Sequence, residues 1–396
     1  MKNILVINAG SSSLKFAVFP QPLVEGTTPI YRGQVDGIGE AAHIVIFDAS
    51  GERLLDAAID TPSSASLDAQ HGASFSTLLS WLESKNVQLD GVGHRVLHGG
   101  DKFNAPVKLT AEIIRELAEF IPLGPLHQPH NLRPIRLLVE RFPSLPQVAC
   151  FDTAFHQTQD RIATTYALPR ALTDSGIKRY GFHGLSYEYI SRQLPGVLGD
   201  KAHGVVIVAH LGNGASMCAM RDLKSVATSM GFTAAEGLMM GTRTGSIDPG
   251  ILLHLIQHLG YDAEALTRVI YRESGLLGVS GISADMRTLE ASDSPNAREA
   301  IDLFCYRAAR EVGSLAVAAG GLDALVFTGG IGENGRAVRA AIVKHLSWFG
   351  LVLDEKVNAE KRGLFRMEAP ESRVALAVIP TNEEWMIASH TAALIR

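Results

Sequence analysis

The sequence predicts a two-domain α/β protein whose sheets contain antiparallel hairpins. The chain has 396 residues, too many for one ordinary hydrophobic core and enough for two. Short strand-like apolar runs are mixed with longer stretches of helical periodicity, as in α/β folds. Two strand–turn–strand segments, residues 3–19 and 204–220, follow the same plan about two hundred residues apart. This repeat indicates an internal duplication.

The two repeated segments each contain a turn of glycine, serine or asparagine between two apolar strands. The turns lie at residues 10–13 and 212–214. Such a turn brings backbone N–H groups together without a bulky Cβ, so it can receive an anion. Lys15 follows the first turn and can neutralise a phosphate oxygen. Taken alone, the first turn is equally typical of an ordinary hairpin, but the two copies together predict a duplicated phosphate clamp.

The remaining elements of the first half follow from local patterns. Apolar runs between residues 39 and 60 continue the first sheet as strands. Thr110 is a suitable N-cap for a helix whose apolar residues between 113 and 121 share one face, and Pro122 and Gly124 end it.

A strand from Gln147 ends at Asp152, which places a carboxylate at the rim of a sheet, where α/β proteins bind ligands. We expect the domain boundary here: residues 1–150, completed by 385–396, form the first domain, and residues 151–384 form the second.

The second half begins a new sheet at Gly204. Its clearest helix spans residues 297–319, with Ser294 and Pro295 as start signals. A strand from Asp323 leads into a glycine-rich turn, and a last strand covers residues 374–379.

Composition excludes several classes of protein. Hydrophobic residues make up 46% and charged residues 19% of a chain with net charge −5, which does not favour nucleic acid or anionic membranes as partners. The three cysteines, Cys150, Cys218 and Cys305, are widely spaced, which argues against a disulfide framework and for a reducing compartment. The first residues lack the pattern of a signal peptide. We therefore expect a cytoplasmic protein.

The glycine turn after residue 328 allows a rival interpretation. Residues 330–335 read G-x-G-x-x-G, and an acidic pair follows at 354–355, as in a nicotinamide-dependent oxidoreductase. Only about sixty residues follow this motif, too few for a doubly wound domain of six strands. A G-x-x-x-x-G-K-[ST] phosphate loop does not occur either.

Positively charged side chains in glycine-punctuated segments are candidates for chemistry. Arg95, Arg243 and His183 each lie close to glycines. Phosphoryl transfer needs positive charge where negative charge spreads over the equatorial oxygens. These residues therefore favour a phosphate-handling enzyme.

Candidate metal ligands are fewer. His127 and His130 are separated by Pro129 and have no nearby Cys or Glu ligand, so a zinc site is not favoured. Glu383 and Glu384 follow the last strand and offer carboxylates to a hard divalent ion bound with nucleotide phosphates.

Taken together, these segments resemble the acetate kinase family over essentially the whole chain. The matching strings occur in the same order at residues 8–15, 93–95, 151–156, 179–184, 210–214, 241–243, 329–334 and 381–384. The resemblance implies the duplicated ribonuclease-H-like fold of actin, sugar kinases and heat-shock ATPases, with an active-site cleft between the domains. It also implies reversible transfer of the γ-phosphoryl group of ATP to acetate, giving acetyl phosphate and ADP, with Mg²⁺ or Mn²⁺, in a homodimer.

The resemblance also assigns roles to individual residues. The catalytic set is Arg95, Asp152, His183, Arg243 and His127. The pocket for the acid is lined by Arg95, Leu97, Leu126, Phe182 and Ala234. The ATP contacts are Ser13, Lys15, His210, Leu211, Gly212, Asn213, Gly214, Asp285, Met286, Arg287, Gly329, Gly330, Ile331, Gly332, Glu333 and Asn334. Asn8 and Glu383 match the magnesium positions. The acceptor carboxylate is already ionised and needs no strong base, so we expect Asp152 to orient Arg95 or the metal's waters.

Three departures from the family pattern bear on the substrate. Ala234 stands where the family usually has proline, Leu97 where it often has valine, and Ser246 where it often has an acidic residue. The first change enlarges the pocket for the acid and the second reduces it, and one methylene of fit is worth about 1–3 kcal/mol. Acetate, propionate and other short acids stay open as substrates. An ATP-binding scaffold of the actin type stays open as a different class.

Overall fold

The computed structural model of the protein describes residues 2–10, 12–61, 66–125 and 127–396. The strands within these ranges are β1 Lys2–Ala9, β2 Leu14–Pro20, β3 Tyr31–Asp36, β4 His43–Asp48, β5 Arg53–Ala58, β6 Gln88–Val96, β7 Val107–Lys108, β8 Gln147–Phe151, β9 Val205–Leu211, β10 Ala215–Arg221, β11 Lys224–Thr228, β12 Ala324–Thr328, β13 Phe365–Arg366 and β14 Ala375–Val378. The α-helices are α1 Leu67–Ser84, α2 Ala111–Glu119, α3 Gln128–Arg141, α4 Arg161–Thr164, α5 Arg170–Asp174, α6 Gly184–Leu198, α7 Pro249–Leu259, α8 Ala263–Tyr271, α9 Gly275–Ser280, α10 Met286–Glu290, α11 Pro295–Ala319, α12 Gly329–Asn334, α13 Arg336–His345, α14 Glu355–Glu360 and α15 Glu383–Leu394.

The chain divides into two compact units. Unit 1 contains the residues up to Ala154 together with Asn382–Arg396, and unit 2 contains Phe155–Thr381. The boundaries predicted from the sequence lie at residues 150 and 384. Each unit has its own mixed sheet with helices, so the prediction of a two-domain α/β protein is confirmed.

The sheet of unit 1 has the strand order β5-β4-β3-β2-β1-β6-β8-β7. Strands β1 and β2 form the predicted antiparallel hairpin, while β1, β6 and β8 run parallel. The carboxyl ends of these parallel strands therefore lie at one edge of the sheet, where α/β folds bind ligands. Asn8, Arg95 and Asp152 lie at or just beyond these ends.

The sheet of unit 2 repeats this plan in the order β11-β10-β9-β12-β14-β13. Strands β9 and β10 form the second predicted hairpin, and β9, β12 and β14 run parallel. Thr328 pairs with His210, so the turn after β9 and the glycine turn after β12 lie at the same edge. The duplication seen in the sequence is thus a duplication of sheets.

Several predicted helices and strands are confirmed in detail. The side chain of Thr110 caps α2 by accepting a hydrogen bond from the N–H of Ile113. Helix α11 begins at Pro295 after Ser294 and ends at Ala319. Strands β4 and β5 occupy the segment between residues 39 and 60, whereas β3 was not predicted.

Helix α15 packs on β1, β6 and β8 of unit 1. Gly93 of β6 permits this approach, because a Cβ there would lie 2.3 Å from Thr391 Oγ1. Trp385, Met386 and Ile387 are among the residues that α15 buries. The helix therefore supplies part of the core of the unit formed by the beginning of the chain.

Two further observations concern the described helices and the thiols. Among the helices in the described ranges, none is both long enough and apolar enough to cross a lipid bilayer. Cys150, Cys218 and Cys305 are free and buried.

Candidate active site

Arg95 and Asp152 form the central ion pair of unit 1. Arg95 donates from Nε to Asp152 Oδ1 at 2.9 Å and from Nη2 to Oδ2 at 2.6 Å. The Asp152 side chain is buried, whereas that of Arg95 is 23% exposed. Burial lowers the pKa of Arg95, but the carboxylates of Asp152 and Glu383 outweigh it, so the net pKa is raised. Arg95 is thus a permanent cation fixed by a two-point contact.

Glu383 brings a second carboxylate to this cation. It is the first residue of α15, and its Oε2 lies 3.8 Å from Arg95 Nη1. Burial raises the pKa of the Glu383 carboxyl; Arg95 and Lys15 lower it, Asp152 and Glu384 raise it, and the net shift is upward. The charged form of Glu383 therefore lacks full compensation from the protein.

The first turn lies beside these groups at the end of β1. Asn8 pairs with Lys15 across the hairpin, and the carbonyl of Ser13 accepts a hydrogen bond from the N–H of Gly10 at 2.8 Å. Burial raises the pKa of Glu384, as it does that of Glu383, and the nearby charge of Lys15 offsets part of the rise in both. The predicted metal and phosphate residues of unit 1 are therefore grouped at one sheet edge.

Asn131, which no sequence pattern predicted, links the segment of the predicted acid pocket to this turn. Its Oδ1 accepts from the N–H of Leu97 at 2.9 Å, and its Nδ2 donates to the carbonyl of Ala9 at 2.7 Å. Leu97 is half-buried, and His127 stands at the N-cap of α3, which carries Asn131. The predicted pocket residue Leu126 lies outside the described residues.

In unit 2, His183 and His210 stack with ring centroids 4.3 Å apart. His183 Nδ1 lies 2.8 Å from Ser216 Oγ, and His210 Nδ1 lies 2.8 Å from Ser186 Oγ. His183 precedes α6 with φ 59°, a left-handed conformation that few residues other than glycine adopt. The backbone and these contacts together fix the direction of the imidazole.

Arg243 points toward the same turn as His183. A Cβ added to Gly214 would lie 3.5 Å from His183 Nε2 and 3.9 Å from Arg243 Nη1. Arg243 Nη1 donates to the carbonyl of Ala234 at 3.1 Å, so the guanidinium is tied to the segment that carries a predicted pocket residue. Phe182, the neighbour of His183, is buried.

A cavity of about 740 Å³ in unit 2 is lined by half of the predicted ATP contacts. The predicted residues that line it are Gly212, Asn213, Asp285, Met286, Arg287, Gly330, Ile331 and Asn334. The cavity is also lined by Ala284, Glu290 and Gly335, which were not predicted. This size lies within the range of pockets that bind cofactor-sized ligands.

Three further predicted ATP residues of unit 2 shape the turns around the cavity. Leu211 is fully buried. Gly329 has φ 76°, and a Cβ there would lie 2.8 Å from the carbonyl oxygen of Leu211. Glu333 Oε1 accepts from the N–H groups of Gly329 at 3.0 Å and Thr381 at 3.2 Å. Glu333 is thus occupied in holding the glycine turn.

Arg339 is a buried residue that supports the same turn, and no sequence pattern predicted this role. It donates from Nη1 to the carbonyls of Gly332 and Glu333, both at 2.9 Å, and from Nε to Asn358 Oδ1 at 2.9 Å. Burial lowers its pKa to about 10. Its guanidinium satisfies carbonyls at the end of α12 that have no partner within the helix.

Residues 3–389 match the family model described as the acetokinase family. The chain belongs to the acetokinase family. The resemblance drawn from its motifs is thereby confirmed.

Relatives within the family match the chain along its whole length. The acetate kinase of Rhodopseudomonas palustris is 50% identical over 392 residues, covering 98% of this chain and 97% of the relative. That of Nitrobacter hamburgensis is 48% identical over 399 residues, covering 100% and 96%. The crystal structure of Porphyromonas gingivalis acetate kinase has a TM-score of 0.89 at 38% identity, and that of a Francisella tularensis propionate kinase has 0.91 at 37%; both cover 100% of each chain.

One network in unit 2 lies outside the roles inferred from the acetokinase motifs. Arg179 Nη2 donates to Glu236 Oε1 at 2.7 Å, and Tyr166 donates to the other oxygen of Glu236. Arg179 Nη1 also reaches the carbonyls of Ser229 at 3.1 Å and Met230 at 3.0 Å. Arg179 belongs to a family string, but these partners are 50 to 57 residues away. The network fixes the backbone that leads to Ala234.

Proposed function

We propose that this protein is an acetate kinase, transferring the γ-phosphoryl group of ATP reversibly to acetate by direct in-line displacement, with acetyl phosphate and ADP as products. The observation that carries the proposal is the identity of about half of all residues with acetate kinases over the full chain. The arrangement of Arg95 with Asp152 and of Arg243 with His183 supports it.

The proposed mechanism assigns the acid to unit 1. The carboxylate of acetate is already ionised, so it attacks the γ-phosphorus without a general base. Arg95 Nη1 lies beyond hydrogen-bond distance of Glu383 and has donor capacity for the acid. Asp152 occupies Nε and Nη2 and so fixes the direction of Nη1. Asp152 acts here as a positioning residue.

The nucleotide is assigned to the cavity of unit 2. As the oxygen of acetate bonds to the γ-phosphorus, the bond to the bridging oxygen breaks and ADP leaves with that electron pair. Arg243 and the Nε2 side of His183 would donate to the equatorial oxygens of the transferring group, where charge accumulates. His127 is assigned a supporting role beside the acid.

We assign a magnesium ion to the sheet edge of unit 1 where Asn8 and Glu383 lie. The described residues contain no cluster of three or more His, Cys, Asp or Glu side chains that could hold a metal. Mg²⁺ is typically held by one or two carboxylates together with nucleotide phosphates and water, and Asn8 and Glu383 provide oxygen donors of this kind. The raised pKa of Glu383 fits a group whose charge a divalent cation would compensate. When bound, the ion would neutralise phosphate charge, and Mn²⁺ suits the same donors.

A homodimer is the proposed assembly. Helix α7 buries none of its residues, and four of its large apolar side chains are exposed by 47–58%: Ile251, Leu253, Ile256 and Leu259. An apolar surface of this kind is typical of an interface. The three free thiols support a cytoplasmic location.

The test is incubation with ATP, Mg²⁺ and unbranched acids of one to four carbons, with the acyl phosphate trapped as its hydroxamate. We expect a maximum of kcat/KM at acetate. A maximum at propionate would identify the second candidate, which the similarity to the Francisella tularensis propionate kinase and the smaller side chain at Ala234 favour. Absence of acid-dependent ADP formation would overturn the proposal.

A matched pair of variants connects the activity to the site. Arg243→Ala should lower kcat by a factor of about 10²–10³, while Arg192→Ala, which breaks an exposed pair on α6, should leave kcat unchanged. Equal rates for the two variants would remove Arg243 from the mechanism.

A further inference from the structure

A small charged cavity in unit 2 has no part in the proposed reaction. It has a volume of about 170 Å³ and is lined by Gly237, Ser246, Arg307, Arg310, Glu311 and Ser314. The last four residues are spaced at i, i+3, i+4 and i+7 on α11, so they share one helix face. The volume is more than ten times the ~15 Å³ that one water needs. The cavity therefore has room for a small polyatomic ion.

The two arginines give this cavity positive charge. Arg307 donates from Nη2 to the carbonyl oxygen of Ser246. The guanidinium carbon of Arg310 lies 5.7 Å from the centre of the Tyr306 ring, and this stacking orients the side chain. Burial and the neighbouring Arg310 lower the pKa of Arg307, and Glu311 offsets only part of this shift. The two cations repel each other, and an anion between them would relieve that repulsion.

Glu311 limits the kind of anion that fits. Its carboxyl lines the same cavity, and burial raises its pKa, with Arg179 and Glu236 as further neighbours. A carboxylate repels a fully deprotonated oxyanion but accepts a hydrogen bond from one that carries a proton. The hydroxyls of Ser246 and Ser314 can donate to or accept from the remaining oxygens.

We propose that this cavity is a binding site for a protonated oxyanion, namely hydrogen phosphate. Its charged oxygens would accept from Arg307 and Arg310, and its hydroxyl would donate to Glu311. Sulfate carries no proton at neutral pH, so it lacks the donor that Glu311 requires and would place an oxygen lone pair against the Glu311 carboxylate.

The position of the cavity connects it to Arg243. The N–H of Ser246 donates to the carbonyl of Gly237 at 2.9 Å, and the N–H of Gly237 donates to Ser246 Oγ at 3.1 Å. These two bonds close the base of the loop that carries Arg243. Phosphate in the cavity would tie Ser246 to α11 and restrict the motion of this loop.

The proposal is tested by binding of inorganic phosphate to the full-length protein, which does not depend on the assigned reaction. Isothermal titration at neutral pH should show a phosphate site in the wild-type protein that is at least tenfold weaker in Arg310→Met. Arg298→Met changes an exposed arginine of the same helix outside the cavity and should bind as the wild type does. Anions held elsewhere contribute equally to all three proteins, so the difference reports the cavity alone.

Two further variants test the chemistry of the ligand. Ser246→Asp supplies a carboxylate between the arginines and should abolish this site. Glu311→Gln removes the repulsive charge and should admit sulfate, which the wild-type site rejects at least tenfold relative to phosphate. Unchanged phosphate binding in Arg310→Met or in Ser246→Asp would overturn the site. Equal binding of sulfate and phosphate by the wild-type cavity would overturn its assignment to a protonated oxyanion.

Discussion

Arg95 binds Asp152 through one edge of its guanidinium group: Nε donates to one carboxylate oxygen and Nη2 donates to the other. This contact joins the ends of two neighbouring parallel strands, β6 and β8, and leaves Nη1 for another partner. A side-on contact of this kind fixes both the position and the plane of the cation. Asp152 therefore fixes the orientation in which Arg95 would meet the acid in the proposed mechanism.

Asp152→Ala should destabilise the protein and weaken acid binding together. Removing the Asp152 carboxylate leaves the largely buried cation of Arg95 poorly compensated. We therefore expect the free energy of unfolding to fall by about 3 kcal/mol and the KM for acetate to rise. Urea unfolding and acid titrations measure the two effects. Arg192→Ala, which breaks the exposed pair with Glu188, should cost under about 1 kcal/mol. An equal loss in both variants would contradict the role given to Asp152.

Arg339→Lys should raise the KM for ATP while the KM for the acid stays constant. One ammonium group cannot reproduce the fork that serves Gly332, Glu333 and Asn358, so the turn beside the nucleotide cavity loses support. Steady-state kinetics with each substrate varied in turn separate the effects. Arg336→Lys, at an exposed position of the same helix, is the control. Equal shifts in both KM values would point to a general loss of fold.

We expect His94 to lower the free energy of unfolding as the pH falls below about 6.5. It is buried and bonded to Gln147 Oε1 at 2.8 Å, and burial lowers its pKa to about 4 despite this bond. The unfolded chain takes up a proton near pH 6.5, whereas the folded state does so only near pH 4. Stability from this group is therefore full above the unfolded pKa and decreases as the pH falls toward 4, by about 3 kcal/mol.

Urea unfolding between pH 4 and pH 8 measures this dependence. His94→Gln should flatten the curve over that range, while His345→Gln, at an exposed position of α13, should leave it as in the wild type. If His94→Gln kept the pH dependence of the wild-type protein, other groups would be responsible for the acid sensitivity.

The exposed face of α7 predicts that a charge there separates the protomers. Leu253 is 55% exposed and Ile256 47%, so Leu253→Glu should halve the mass measured by light scattering and leave the circular dichroism spectrum intact. Ile162, which is 90% exposed on the short helix α4, provides the matched control: Ile162→Glu should not change the mass. A wild-type protein with the mass of a monomer would contradict the proposed homodimer.

The parts of the fold that the sequence predicts well depend on local patterns. The two hairpins follow from apolar strands around compact turns, and α2 and α11 follow from N-caps and apolar stripes. Strand β3, by contrast, was not predicted, because about half of its residues are polar and it contains a glycine at position 33. A Cβ there would lie 2.4 Å from the carbonyl oxygen of Val45. That glycine serves close packing between strands, which no local pattern reveals.

The residues of the candidate site likewise fall into those that local sequence patterns predict and those that they do not. Arg95, Arg243 and His183 could be selected because glycines punctuate their segments, and the family strings added their roles. Asn131 and Arg339 could not, because each lies within an ordinary helix and its importance comes from carbonyl groups distant in sequence or in a neighbouring turn. Supporting residues of this kind need the three-dimensional structure.

The return of α15 to unit 1 sets an order on the biosynthesis of the protein. Strands β1, β6 and β8 leave the ribosome early, but the helix that covers them is translated only after the whole of unit 2. Until then the surface at Gly93, against which Ile387 and Thr391 pack, stays open to solvent and to other nascent chains. The unit that is made first is therefore finished last, and a ribosome stalled near residue 381 would present a chaperone with an incomplete domain.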